Sequence, residues 1–299
     1  MVVMEGPRPV RERVAEFVRG EVTRRTCRTP AELQCTEVVL WSRKGWANQE
    51  VVGERAHFEA LRSVVGSAHR PMGAEHHVIA ALVPEPTNRF DVAAVAVYID
   101  GKRVGYLPRE DARRYRPVLD QIEASGRRPT VTARIWAADY EDWDADRDET
   151  VARFGAGVYV ELDEPHLLLP INSAPIEPHV LLPDGSTIQV QDTAAHLERL
   201  AGIAGADGER WAYATLHTAV EQRARSTREL AEVRVDGERV GKLTPKMSDE
   251  VLPVVRFLAE RGRATASRLL VSGNRAAVSA RLYVARAHQI DDRWFDEAL

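Results

Sequence analysis

Cysteine is nearly missing from this chain: Cys27 and Cys35 are the whole supply in 299 residues. Two thiols cannot complete a four-ligand zinc site, nor the disulfide framework of a small secreted domain. Reduced thiols and a cytoplasmic setting, with the nucleoid as a possible address, are the expectation. Lysine is scarce too, confined to Lys44, Lys102, Lys242 and Lys246, so the basic charge is almost all arginine. The planar guanidinium suits phosphate, although a GC-rich genome produces the same bias together with Ala, Val and Asp. No apolar run approaches the roughly 20 residues that cross a bilayer, and the opening residues 1–9 carry no apolar leader segment. No membrane partner is expected.

Catalytic signatures are also absent. There is no Gly-x4-Gly-Lys-Ser/Thr loop to cradle a nucleotide. No Ser-His-Asp set can be assembled, and no Glu-x-Lys follows an Asp at nuclease spacing. Glu75-His76-His77 and His69 suggest a metal, but neighbouring strand residues point to opposite faces. The aspartates from Asp139 to Asp148 alternate like a calcium loop. Counting from Asp144 puts Glu149 at position six, where glycine is required, and Gly155 at position twelve, where glutamate is required. A solvated acidic hairpin tip is expected instead, and no metal or cofactor. The formal charge of −4 and pI near 6.2 argue against a surface coated in nucleic acid. They leave room for a local site, since net charge describes only the whole surface.

What is present is a normal globular composition, 44% hydrophobic, in a chain long enough for two domains. Residues 10–18 show the spacing of a short amphipathic helix, and residues 37–41 read as a strand. The turn around Trp46, basic and aromatic, reads either as a surface turn packed back on the fold or as a nucleic-acid contact. Residues 49–53 read as a strand, and 57–65 as a helix with Phe58, Leu61 and Val65 on one face.

The centre of the chain is residues 78–110. Two apolar runs of strand length, 78–83 and 92–99, flank the polar corner Pro84-Glu85-Pro86-Thr87-Asn88-Arg89-Phe90-Asp91. Its prolines lack the amide that a strand ladder needs. Asp100-Gly101 signals a tight hairpin, a short strand follows over 103–107, and Pro108 opens a helix. That helix runs to Ala124, with Tyr115, Leu119 and Ile122 inward, and Gly126 ends it. Residues 130–136 and 156–162 supply two more strands.

The pattern then recurs. Ile99-Asp100-Gly101 and Arg103-Val104-Gly105 match Val235-Asp236-Gly237 and Arg239-Val240-Gly241 at an offset of 136. The offset holds through Pro117/Pro253, Val118/Val254 and Gly126/Gly262. The corner is not kept: Asn88 to Asp91 fall on Ala224 to Thr227, Tyr106 on Lys242 and Arg109 on Pro245.

These residues carry a resemblance. Val52-Gly53-Glu54-Arg55, Pro86 to Asp91, residues 94–97, and Val104-Gly105-Tyr106-Leu107 with Arg109 stand in the order of the HIRAN domain. That family of small β-barrels occurs fused to DNA-repair helicases and alone in bacteria. The resemblance implies a mainly β fold with helices (α+β), built as two small OB- or SH3-like β-barrels related by an internal repeat, the second degenerate. The expected division is an N-terminal helix and strand extension over 1–50, a HIRAN-like barrel over 51–165, a Pro-rich connector and helix over 166–210, and the second copy over 211–299.

The implied activity is non-enzymatic binding of single-stranded DNA 3′ ends in repair or replication, with repair or replication proteins as further partners. In this reading Asp91 accepts a hydrogen bond from the terminal 3′-hydroxyl, and Asn88 and Phe90 shape the pocket wall. Arg55 and Arg109 meet phosphates. His57 and Tyr106 offer rings where the family has a tyrosine and a histidine; Ala56 replaces a second tyrosine. The bland reading of the same residues is that Asn88 and Asp91 cap the corner through Asx bonds, Phe90 is core and Arg109 is a solvated helix charge. A protein-interaction adaptor is the alternative function, and a metal-dependent nuclease stands behind both.

Overall fold

A computed structural model describes residues 36–144, 148–223 and 226–297. The expected helix at 10–18 and both cysteines lie outside the described residues, as do the hairpin tip 145–147 and residues 224–225. The chain divides into two compact units between Leu168 and Leu169. Both are mainly β with a few helices. Among the described residues no helix is long and apolar enough to cross a membrane.

The first unit contains strands β1 (Thr36–Val39), β2 (Gln49–Glu50), β3 (Ala74–Pro84), β4 (Val95–Ile99), β5 (Lys102–Tyr106), β6 (Arg127–Asp144) and β7 (Glu149–Val160). Helix α1 (Phe58–Val65) follows β2, and α2 (Arg109–Ala124) follows β5. The strand order is β2-β7-β6-β3-β4-β5, with β1 parallel to the start of β6. The sheet curls because its two ends meet. Just past β2, Val52 exchanges two backbone hydrogen bonds with Tyr106 at the end of β5, at 2.8 and 2.9 Å. The pleat sets which residues point inward: Val51, Leu82, Val97, Val131, Ile135 and Val158 are buried, while Val52 and Trp136, next to Val51 and Ile135, are exposed. Helix α2 covers the core with Ala112, Tyr115, Leu119 and Ile122, the stripe that its 3.6-residue spacing predicts.

The second unit contains β8 (His179–Leu181), β9 (Thr187–Gln189), α3 (Leu197–Ala204), β10 (Glu209–Arg223), β11 (Ser226–Val235), β12 (Glu238–Lys242), α4 (Pro245–Ala259), β13 (Ala264–Gly273), β14 (Val278–Tyr283) and α5 (Asp292–Glu297). Its order, β12-β11-β10-β13-β14-β9 with β8 parallel to β13, is that of the first sheet. Gln191 and Lys242 exchange the two bonds that Val52 and Tyr106 exchange. Asp100-Gly101 and Asp236-Gly237 turn through the same left-handed backbone, φ 48 and 72° against 50 and 78°.

Two expectations about organisation change. Residues 166–210 are not simply a connector: β8, β9 and α3 belong to the second sheet and its core, with Ile188, Val190 and Leu200 buried. The first unit also begins earlier than residue 51, because β1 pairs with β6, and Leu40 and Trp41 are buried. A fragment of residues 36–168 is therefore expected to unfold cooperatively by itself, whereas 51–165 should not. Removing one large core side chain costs about 2–5 kcal/mol, and the shorter fragment loses four of them, Leu40, Trp41, Leu167 and Leu168, from a total of about 5–15 kcal/mol. Urea unfolding of both fragments checks this; a shorter fragment as stable as the longer one would contradict it.

Candidate nucleic-acid interface

The corner between β3 and β4 is built by its own polar side chains. Pro84 closes the β3–β4 ladder opposite Val95, and two short turns carry the chain back: Asn88 N–H donates to Glu85 O at 3.0 Å, and Ala94 N–H to Asp91 O at 3.0 Å. Asn88 Oδ1 accepts from the N–H groups of Phe90 and Asp91 at 3.0 and 3.3 Å. Asp91 Oδ1 accepts from Ala93 N–H at 2.9 Å. These are Asx bonds, in which a short side chain replaces a backbone partner. From below, Arg116 on α2 donates to Val92 O at 2.6 Å and so ties the corner to the helix.

Glu85 is the hub, and sequence reasoning missed it. Its carboxylate accepts from Asn88 Nδ2 at 2.8 Å, from the Tyr106 hydroxyl at 3.2 Å and from Arg103 Nη1 at 3.3 Å. Arg103 also lies over the Tyr106 ring, 5.4 Å from its centroid. Burial, and then the Glu85 carboxylate, hold the Tyr106 phenol above its ordinary range, so it stays a donor. His57 closes the set. Burial first and the Arg103 guanidinium second push its imidazole below the usual histidine range, which favours the neutral ring. A carboxylate between two prolines was the available signal. Glu85→Ala is expected to destabilise the 36–168 fragment by about 1–3 kcal/mol, because it strands a half-buried guanidinium and a phenol. Glu85→Gln should recover part of that. Urea titration of the two variants decides it.

Asp91 and Arg109 form the outer part of the site. Arg109, in the first turn of α2, donates from Nε to Asp91 Oδ2 at 2.9 Å. The Asp91 side chain is 16% exposed and that of Arg109 64%, so the guanidinium roofs the carboxylate. A guanidinium carries five donors, and no other hydrogen bond or ion pair of Arg109 occurs among the described residues. Arg55 is exposed on the 3-10 turn Glu54–His57, beside His57, and has no partner among the described residues. Phe90 is not core: it is 77% exposed, with Arg89 stacked 4.6 Å from its centroid.

The structure thus joins Asn88, Asp91, Tyr106 and Arg109 through Glu85 and Arg103, and the Arg103 charge acts on His57. Arg55 stands on the turn next to them and Phe90 projects from the corner. The Trp46 turn is pinned by Asp163 and Glu161, with the Trp46 ring itself half-exposed.

Residues 60–143 match the family model of the HIRAN domain. The chain contains a HIRAN domain. The match covers the corner, Tyr106 and Arg109, and leaves Arg55 and His57 just before its start. HIRAN domains are nucleic-acid-binding modules rather than catalytic ones. No curated protein and no solved structure matches the chain.

The second unit has a different surface at the corresponding place. Residues 217–223 pair without a break with 226–232, so a continuous ladder stands where the first unit turns its corner. Lys242, at the Tyr106 position, is held by Glu221 at 2.5 Å and Asp192 at 3.1 Å. Glu221 stands at the Glu85 position and Arg239 at the Arg103 position. They line a cavity of about 110 Å³ whose charges are paired internally.

Proposed function

We propose that the HIRAN domain of this protein binds single-stranded DNA and receives a free 3′ end at the corner, without catalysis, in DNA repair or replication. The observation that carries this is the Asp91 carboxylate, held by Ala93 N–H on one oxygen and roofed by an exposed arginine on the other. A terminal hydroxyl donates to such an oxygen, whereas an internal phosphate brings only acceptors to it. Arg55 and the outward Nη groups of Arg109 supply cations for the last phosphates, and Tyr106 and His57 line the inner side.

In this reading the two units are copies of one small barrel, as the common strand order and the 136-residue offset suggest. The second copy keeps the closure and loses the end pocket. Its Lys242 is neutralised by two carboxylates, Asp192 and Glu221. The test is fluorescence anisotropy with an oligonucleotide ending in a 3′-hydroxyl and the same strand ending in a 3′-phosphate, at fixed salt. Tighter binding of the hydroxyl strand supports the reading. Equal affinity that Asp91→Asn leaves unchanged reduces the corner to a structural cap and favours the adaptor.

A further inference from the structure

The outward face of the first sheet carries three rings that the corner does not use. Trp136 and Tyr140 stand four residues apart on β6 and are 47% and 49% exposed. Tyr159 on β7 pairs with Arg134, two residue pairs before the Trp136–Gly157 pair. Residues opposite each other in an antiparallel pair share a face, so all three rings project to the same side. Glycines keep the ground between them low. A side chain at Gly157 would meet nothing closer than the Tyr159 ring edge at 3.9 Å, and Tyr140 lies over Gly155.

This face runs into the candidate pocket. Glu50 pairs with Tyr159, and Val51 N–H donates to Val158 O at 2.9 Å, so Val52 lies opposite Gly157. Val52 pairs in turn with Tyr106. The row Trp136–Gly157–Val52–Tyr106 therefore crosses four strands on one face, and its floor is a glycine and a partly exposed valine. Three strand spacings of about 4.8 Å put the two rings about 14 Å apart along the surface, the reach of two extended nucleotides. The exposed Arg55 follows Val52 by three residues and lacks a partner among the described residues, so a cation borders the row. Arg134 lies 4.9 Å from the Tyr159 centroid and pairs with Glu75.

We infer that Trp136 and Tyr159 form a stacking shelf for bases of the same single strand, upstream of the nucleotide held at the corner. The inference rests on the proposed reading of the corner and adds a second contact to it. Continuity with Tyr106 and the unpaired Arg55 choose nucleic acid over a peptide. Flat rings stack any base, so the shelf adds affinity without sequence preference. The acidic ribbon that begins at Asp139 and Glu141 repels phosphates and ends the track beyond Tyr140.

The experiment uses the full chain and oligo(dT) of eight nucleotides, with a 3′-hydroxyl or a 3′-phosphate. Trp136→Ala and Tyr159→Ala are each expected to weaken binding of both strands about tenfold, within the range of base stacking on a ring. The hydroxyl-to-phosphate ratio should stay as in the wild type, and Trp136→Phe should bind close to it. Trp136 also shields Gly73, where a Cβ would come within 2.5 Å of the ring. Tyr159→Ala therefore keeps the test open if Trp136→Ala misfolds. Wild-type affinity in both alanine variants, with the ratio intact, overturns the shelf and leaves the end pocket standing. A wild-type chain that binds neither strand overturns both. Quenching of Trp136 emission by a Lys-rich decapeptide but not by oligo(dT) overturns the shelf in favour of a basic protein segment.

Discussion

Asp91→Asn is expected to collapse a preference for 3′-hydroxyl over 3′-phosphate ends from more than tenfold to about threefold or less. The hydroxyl donates to a carboxylate, and a charge-assisted hydrogen bond contributes about 1.5–3 kcal/mol, which is about 10- to 150-fold in affinity. A 3′-phosphate lacks that donor and sets its own charge against the carboxylate. Asparagine keeps the oxygen that Ala93 N–H uses, so the corner should retain its shape, while the ion pair with Arg109 is lost. The ion pair with Arg109 adds a second expectation. The sequence suggested a helix charge that simply meets phosphate. In the fold, Arg109 also balances Asp91. Arg109→Ala should therefore weaken both strands, lower the salt slope by about 0.7 for the one lost phosphate contact, and widen the hydroxyl preference because Asp91 is left unmatched. Anisotropy across a salt series measures all three quantities. An unchanged slope would remove Arg109 from the phosphate path.

Gly105→Ala is expected to destabilise the first unit by about 2–3 kcal/mol and to abolish end binding with it. A Cβ on Gly105 would stand 2.6 Å from Val51 Cγ1 and 2.7 Å from Val52 O. Val51 is fully buried and Val52 carries the closure of the sheet, so neither can retreat without opening it. Overpacking of this kind costs about 1–3 kcal/mol, or about 10 °C in Tm for a unit of this size. Displacing β5 also moves Tyr106, and with it the network around Glu85. Gly241 occupies the same place in the second sheet, 2.4 Å from Gln191 O and 2.5 Å from Val190 Cγ1. Gly241→Ala should destabilise the second unit comparably and leave DNA binding untouched. Calorimetry of each variant beside a binding titration separates the two; loss of binding in Gly241→Ala would mean that the second unit takes part.

Much of this protein is local chemistry, and that part was legible in its residues. Asp-Gly turns, the proline-bounded corner, the spacing of Tyr115, Leu119 and Ile122 and the strand-length apolar runs each set a backbone conformation with their own neighbours. The family resemblance rested on the same short stretches. Pairing is another matter, because it joins residues far apart. The parallel contact of β1 with β6, the use of β8, β9 and α3 in the second sheet, and the closure of Val52 on Tyr106 depend on which surfaces find each other, and no short window encodes that. For the same reason the role of Glu85 as a hub was not legible: three groups from one strand and a turn converge on it only once β3, β4 and β5 are paired. Asp91 shows the division within one residue. Its bond to Ala93 N–H is written two positions along the chain, while its ion pair with Arg109 exists because α2 is packed beneath the corner. The sequence by itself determined the turns, the amphipathic faces and the kinds of side chain at the corner. Only the tertiary structure decided which charges meet, since a charge acts on whatever the fold brings within a few ångströms of it.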